Sequence, residues 1–228
     1  MIIEIVGLPG SGKTTLCNHL VALKPHVYQD RYSVVDSWAN PSLKLKSLNF
    51  LLNLVLMRKL NIFHELHLGR LQDKFSFKNP ESHKKSIAFL DSFRNQGFIP
   101  NSFWQRWYFN AWAIQSVAIN SNLCFLHDEG LAQRLITVMK YVDIEHELIR
   151  EYFSNVDFVL IFDRHVDECI KQSIKRDRGK RTAKNPEIWI QSYVEPINKL
   201  KRLSLCDDKF HLVSPSTIYD SIEAMNNA

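Results

Sequence analysis

The sequence of 228 residues predicts an α/β fold, a parallel sheet with helices on both faces. Three observations lead there. Short apolar, β-branched runs recur along the chain and alternate with segments of helical periodicity. The first run, Met1–Val6, leads straight into a glycine-rich turn and then into a helical pattern. Residues 40–122 carry helical patterns but no convincing strand, so they read as a helical insert between the second and third strands. A structureless loop of that length inside a compact domain is implausible.

The strand candidates are Ile2–Leu8, His26–Asp30, Leu123–Asp128, Val156–Asp163 and Lys209–Ser214. Between the first two, Leu16, Leu20 and Leu23 recur at helical spacing and Pro25 stops the helix. Within the insert, Pro41–Leu60, Ile62–Phe75, Ser82–Asn95 and Ser102–Asn120 place apolar residues three and four apart, punctuated by Asn79-Pro80 and by residues 97–100. A helix over Leu131–Met139 follows the third strand. Another, marked by Val166, Cys169, Ile170 and Ile174, follows the fourth. Asn185-Pro186 supplies a cap and a first-turn proline for a further helix. Ser216 is the cap expected for the last one. Parallel neighbours joined this way require right-handed crossovers.

The glycine-rich turn is Gly7-Leu8-Pro9-Gly10-Ser11-Gly12-Lys13-Thr14, followed by Thr15. It fits G-x-x-x-x-G-K-[ST] with a strand before it and a helix after it, the context in which that pattern cradles phosphate groups. Glycines let backbone N–H groups turn inward without a Cβ in the way, and the helix N-terminus adds free N–H groups and the positive end of its dipole. Leu8 to Thr15 are therefore the phosphate-binding residues. Lys13 is placed for the β- and γ-phosphates, and Thr14 for Mg²⁺.

Two acids, Asp128 and Glu129, close the third strand before Gly130. An acid at that edge of a parallel sheet can hold Mg²⁺, and a second can accept the proton of an attacking hydroxyl. Asp128 is assigned to the metal with Thr14, and Glu129 to the base or to substrate contact; His127 reads as structural. After the fourth strand comes a basic run that includes Lys171, Lys175, Arg176, Arg178, Lys180, Arg181 and Lys184. A basic loop beside a phosphate site can act as a lid, with Arg176, Arg178 and Arg181 stabilising charge on a phosphoryl group in flight. Ser214 and Thr217, after the last strand, are placed at the edge of the nucleotide base.

A net charge of +5 and a pI of about 9.0 suit a polyanionic ligand without demanding nucleic acid. Cys17, Cys124, Cys169 and Cys206 lie far apart and form no C-x-x-C pair, which predicts reduced thiols and a cytoplasmic location. An acid at position 4 and the glycine motif from position 7 predict that no signal peptide is present. The most lipid-like run, Leu48–Met57, is short and broken by Asn49 and Asn53, so no membrane span is expected.

With these four features in order, the chain resembles the P-loop kinases of nucleosides, nucleotides and other small molecules, the superfamily that includes the thymidylate kinase-like enzymes. The matching residues are Gly7–Thr15, Leu123–Gly130, Arg176–Arg181 and Ser214–Thr217. The resemblance implies a three-layer P-loop NTPase fold with a five-stranded parallel sheet in the order 2-3-1-4-5. It also implies one domain over 1–228, with a substrate-binding insert at 40–122 and a lid at 176–186. ATP and Mg²⁺ are the implied cofactors. The implied base follows the second strand or closes the third, which leaves Asp30, Asp36, Asp128 and Glu129. Asp36 leads near the second strand. Many nucleoside and thymidylate kinases place an acid followed by arginine after the third strand, where this chain has Asp128-Glu129-Gly130.

The leading expectation is thus transfer of a γ-phosphoryl group to a small-molecule acceptor. The insert should read that acceptor, through Gln105, Arg106 and Asn110 on its last helix, with Arg70 and Arg134 holding an anionic group. Most aromatics from Phe103 to Trp112 should be core. Action on a nucleic-acid end or modified base is a less favoured alternative. A non-catalytic ATP-binding switch is another. The nearest string to the guanine motif N-K-x-D, Asn198-Lys199-Leu200-Lys201, lacks the aspartate. The apolar insert is also a candidate homodimer surface.

Overall fold

The computed structural model describes residues 1–31, 34, 75–77, 79–119, 122–176 and 185–227. Its centre is a five-stranded parallel sheet in the order β2-β3-β1-β4-β5, the order that the resemblance implies. The strands are β1 (Ile2–Gly7), β2 (Tyr28–Gln29), β3 (Cys124–His127), β4 (Phe158–Phe162) and β5 (Phe210–Val213). Each falls inside its predicted segment.

The described helices are α1 (Lys13–Leu23), α2 (Pro80–Asn95), α3 (Ser102–Ala118), α4 (Leu131–Val138), α5 (His146–Tyr152), α6 (Val166–Arg176), α7 (Pro186–Gln191), α8 (Val194–Leu203) and α9 (Ile218–Asn227). Asn101 and Asn185 cap α3 and α7 by accepting from the N–H of Trp104 at 2.8 Å and of Ile188 at 3.3 Å. At α9 the helix starts two residues after Ser216, whose hydroxyl pairs with that of Ser214 instead of capping. Seven residues of α5 are too few for periodicity to reveal.

Every residue of β1 is buried, and alternation sorts its side chains onto two faces. Ile3 and Ile5 join Leu16, Cys17 and Leu20 of α1 and Ile218 and Ile222 of α9 on one face. Ile2 and Val6 join α3, α4, α5 and α8 on the other. This is a three-layer arrangement.

Of the interval 40–122, the described part is helical apart from short connections. The predicted Pro41–Leu60 helix and most of Ile62–Phe75 lie outside the described residues. On α3, Trp104, Tyr108 and Trp112 are buried, while Phe103 is 68 % exposed. Trp112 meets Phe89 at 6.0 Å and Tyr152 at 5.9 Å between ring centroids, and the Tyr108 hydroxyl donates to the Ser86 carbonyl at 2.7 Å. These rings lock α2, α3 and α5 together. Removing a buried tryptophan forfeits its transfer energy and leaves a cavity. Trp112→Ala should therefore lower unfolding free energy by about 3–5 kcal/mol, read from denaturant melts.

Candidate active site

The glycine motif occupies the turn from β1 into α1. Gly10 and Gly12 have φ of 81° and 102°, backbone that favours glycine. At Gly10 a Cβ would also stand 2.4 Å from the Cys169 carbonyl oxygen, so α6 packs directly on the loop. The Lys13 ammonium folds back over the loop. It donates to the carbonyls of Gly7 at 2.9 Å and Leu8 at 3.1 Å, and to Ser11 Oγ at 3.4 Å. Burial lowers its pKa to about 8, against the pull of Asp128 and Glu129 in the other direction.

Beside this loop stands the end of β3. The Thr14 hydroxyl donates to Asp128 Oδ2 at 2.5 Å, across 114 residues of sequence. Next to it, Glu129 receives Arg31 Nη1 at 2.6 Å. Burial favours a neutral Glu129, but the Arg31 guanidinium, with Arg134 and Lys13, outweighs it and holds the pKa below the usual glutamate value. The arginine beside the β3 acid thus comes from the end of β2 rather than from the residue after the acid.

Beneath this turn lies a carboxylate that is fully buried in the sheet. Glu4 on β1 accepts from the backbone N–H of Leu131 at 3.1 Å and of Ala132 at 3.2 Å, the first turn of α4. Its Oε1 also lies 3.2 Å from His127 Nδ1. A negative group there answers both the free N–H groups and the helix dipole. Gly130 is required by this closeness, since a Cβ would fall 2.2 Å from His127 Nδ1 and 2.4 Å from either Glu4 oxygen. Glu4 and Gly130 therefore fix the turn that carries Asp128 and Glu129.

Together these elements border a cleft of about 1040 Å³ along the C-terminal edge of the sheet. Its lining falls into two groups on either side of β1. On the β4–β5 side are Phe162, Arg164, Gln172, Pro215 and Ile218, with His19 of α1. On the β3 side are Glu129, Gln133, Arg134 and Thr137, with Trp189 and Tyr193 from α7 and the turn after it. Residues 9–16 of the phosphate loop and α1 lie between the groups.

The oxygens of Thr14 and Asp128 suit Mg²⁺. That ion is held by one or two protein oxygens together with phosphates and waters, so no larger cluster is needed. Among the described residues no group of three or more His, Cys, Asp or Glu could hold a metal.

Not every predicted residue borders the cleft. Glu129 and Arg134 do, whereas Gln105, Arg106 and Asn110 do not, and Asp128 is buried behind Thr14. Gln105 is tied to the Pro100 carbonyl at 3.1 Å, and Asn110 is buried. Ser214 and Thr217 bond to each other, and their neighbours Pro215 and Ile218 reach the cleft instead. Asp36, Arg70, Arg178 and Arg181 lie outside the described residues, as does the side chain of Arg176.

Arg31, Arg164 and Glu4 belong to no motif in the sequence, yet they border this site. Arg164 Nη1 donates to the Ser11 carbonyl at 3.1 Å, which puts a guanidinium on the phosphate loop. Its signal was its position two residues beyond β4, at the same sheet edge as the motif.

No family model matches the chain, and no curated protein matches it. Among solved structures the chain is similar to deoxyadenosine kinase from M. mycoides. The complex with the products dCMP and a flexible dCDP has 12% identity and a TM-score of 0.49, covering 100% of this chain and 99% of that one. The dATP complex has 16% identity and a TM-score of 0.47, and the dCTP complex 14% and 0.46, each covering 100% of both chains. Identities this low carry no substrate across.

The Lys13 pKa gives the site a pH signature. Above about pH 8 the ligand-free protein loses the Lys13 proton, and a bound polyphosphate must draw it back. Triphosphate affinity should therefore fall as pH rises through about 8, with proton uptake on binding. Titration calorimetry at about pH 8.5 in buffers of different ionisation enthalpy should show that uptake, and at about pH 6.5 should not. The same depressed pKa makes folding stability rise with pH between about 8 and 10.5, because there the unfolded chain binds more protons.

Proposed function

We propose that the protein is a phosphotransferase that moves the terminal phosphoryl group of ATP to a hydroxyl of a small-molecule acceptor. The observation that carries this reading is that Lys13, Thr14 and Glu129 line one cleft, with Asp128 behind Thr14 at 2.5 Å and Arg31 bonded to Glu129. The loop N–H groups and Lys13 bind the β- and γ-phosphates. Thr14 and Asp128 hold Mg²⁺, which neutralises charge on the phosphate oxygens when bound. Arg164 stays close enough to the loop to act on the phosphates as well, and the nucleoside lies toward Pro215 and Ile218.

The acceptor enters on the β3 side. Its hydroxyl oxygen forms the new bond to the γ-phosphorus, while the bond to the β,γ-bridging oxygen breaks and ADP leaves. The hydroxyl proton passes to the Glu129 carboxylate, which Arg31 keeps ionised, and then to solvent. Proximity and charge stabilisation supply most of the acceleration in such a step. The arginines of 176–181 are proposed as the lid, and the interval 40–122 as the acceptor-binding insert.

All four thiols are free and three are buried, which suits a cytoplasmic enzyme. No helix of the described residues is long and apolar enough to cross a membrane.

The reading is tested by incubating the protein with γ-labelled ATP, Mg²⁺ and a metabolite extract, with products identified by mass spectrometry. Label should appear in an organic acceptor, and Lys13→Ala should abolish it while the protein stays folded. Slow release of inorganic phosphate alone, unaccelerated by any fraction of the extract, would favour the ATP-binding switch instead.

A further inference from the structure

On the β3 side of the cleft, two polar side chains each hold a buried atom with no hydrogen-bond partner among the described residues. Arg134 and Gln133 sit in the first turn of α4 and both line the cleft. Among the described residues the Arg134 side chain makes no hydrogen bond or ion pair, and its Nε is buried. The Gln133 Oε1 is buried and unbonded too. Native proteins rarely leave such groups unpaired, and these two differ from the unpaired core atoms of α3 in lining the cleft, where a ligand can reach them.

The contrast with the neighbouring cations is informative. Arg31 is engaged by Glu129, Arg164 by Glu168 and the Ser11 carbonyl, and Lys13 by the loop. Arg134 is held differently, with its guanidinium carbon 5.6 Å from the centre of the Trp107 ring. An aromatic face steadies the guanidinium and leaves its donors available.

We infer that the phosphoryl acceptor carries an oxyanion, a carboxylate or a phosphate, that binds Arg134, with a donor group of the acceptor on Gln133. The inference rests on the phosphotransferase reading and narrows its substrate class. A planar fork of N–H donors matches a carboxylate or phosphate, whereas the nearby Glu129 charge acts on Arg134 without bonding to those donors. The donor triphosphate does not need this arginine, since its phosphates lie at the loop with Lys13 and Arg164. Arg134 and Glu129 line the same side of the cleft and are close enough for their charges to interact, so one small molecule can place its anion on Arg134 and its reacting hydroxyl near Glu129.

The test is titration calorimetry with the loop occupied by Mg²⁺ and a non-hydrolysable ATP analogue. Matched pairs serve as probes: glucose against glucose 6-phosphate and glucuronate, and thymidine against thymidine 5′-monophosphate. An anionic probe should bind at least roughly tenfold more tightly than its neutral partner. Arg134→Gln should remove that preference and Arg134→Lys should keep part of it, each shown to be folded by circular dichroism. A preference for phosphate over carboxylate, or the reverse, identifies the anion.

Equal binding of neutral and anionic partners, no anion binding at all, or a preference that survives Arg134→Gln would overturn the inference. If anions bind through Arg134 but no label leaves ATP for any acceptor, the subsite stands and the phosphotransferase reading falls. If label passes only to neutral acceptors, the reading stands and the subsite falls.

Discussion

The constraint on which the site depends is the buried Glu4 carboxylate at the centre of the sheet. A charge with no access to water is tolerable only when hydrogen bonds replace its hydration. Here they come from two N–H groups of α4 and from His127. Because Glu4 belongs to β1 and its partners to the end of β3 and to α4, the same bonds tie the phosphate loop's strand to the turn bearing Asp128 and Glu129. The direction of α4, and so the position of Gln133 and Arg134, follows from it.

Around that anchor the cleft divides labour by charge. Lys13 and Arg164 both donate to carbonyls of the glycine loop and gather positive charge there. Asp128 sits against Thr14, a pair of oxygens suited to a hard cation. Glu129 is neutralised in part by Arg31 and kept ionised, while Arg134 Nε is buried without a hydrogen bond.

What could be read from the sequence was local. The phosphate loop is one contiguous motif whose glycines are needed for their own backbone angles, and the five strands show as β-branched runs bounded by turn residues. The strand order, by contrast, came with the resemblance. The roles of Glu4, Arg31 and Arg164 were not legible because each is defined by a partner far along the chain. Glu4 meets Leu131 across 127 residues and Arg31 meets Glu129 across 98. Composition cannot distinguish a strand glutamate that caps a helix from one that faces water. The α3 residues Gln105 and Asn110 looked available because they are polar on a helix, yet packing turned one onto a carbonyl and the other into the core.

Glu4 holds the turn that positions Asp128 and Glu129. The direct measurement is the Mg²⁺ concentration that half-saturates ATP binding in wild type, Glu4→Gln and Glu4→Asp. The glutamine amide turns a donor toward N–H groups that need an acceptor, so it should raise that concentration by roughly tenfold, the effect of losing one charge-assisted bond. Aspartate should recover part of it. An unchanged Mg²⁺ requirement in Glu4→Gln, with only a lower melting temperature, would show that the carboxylate holds up the fold and not the site.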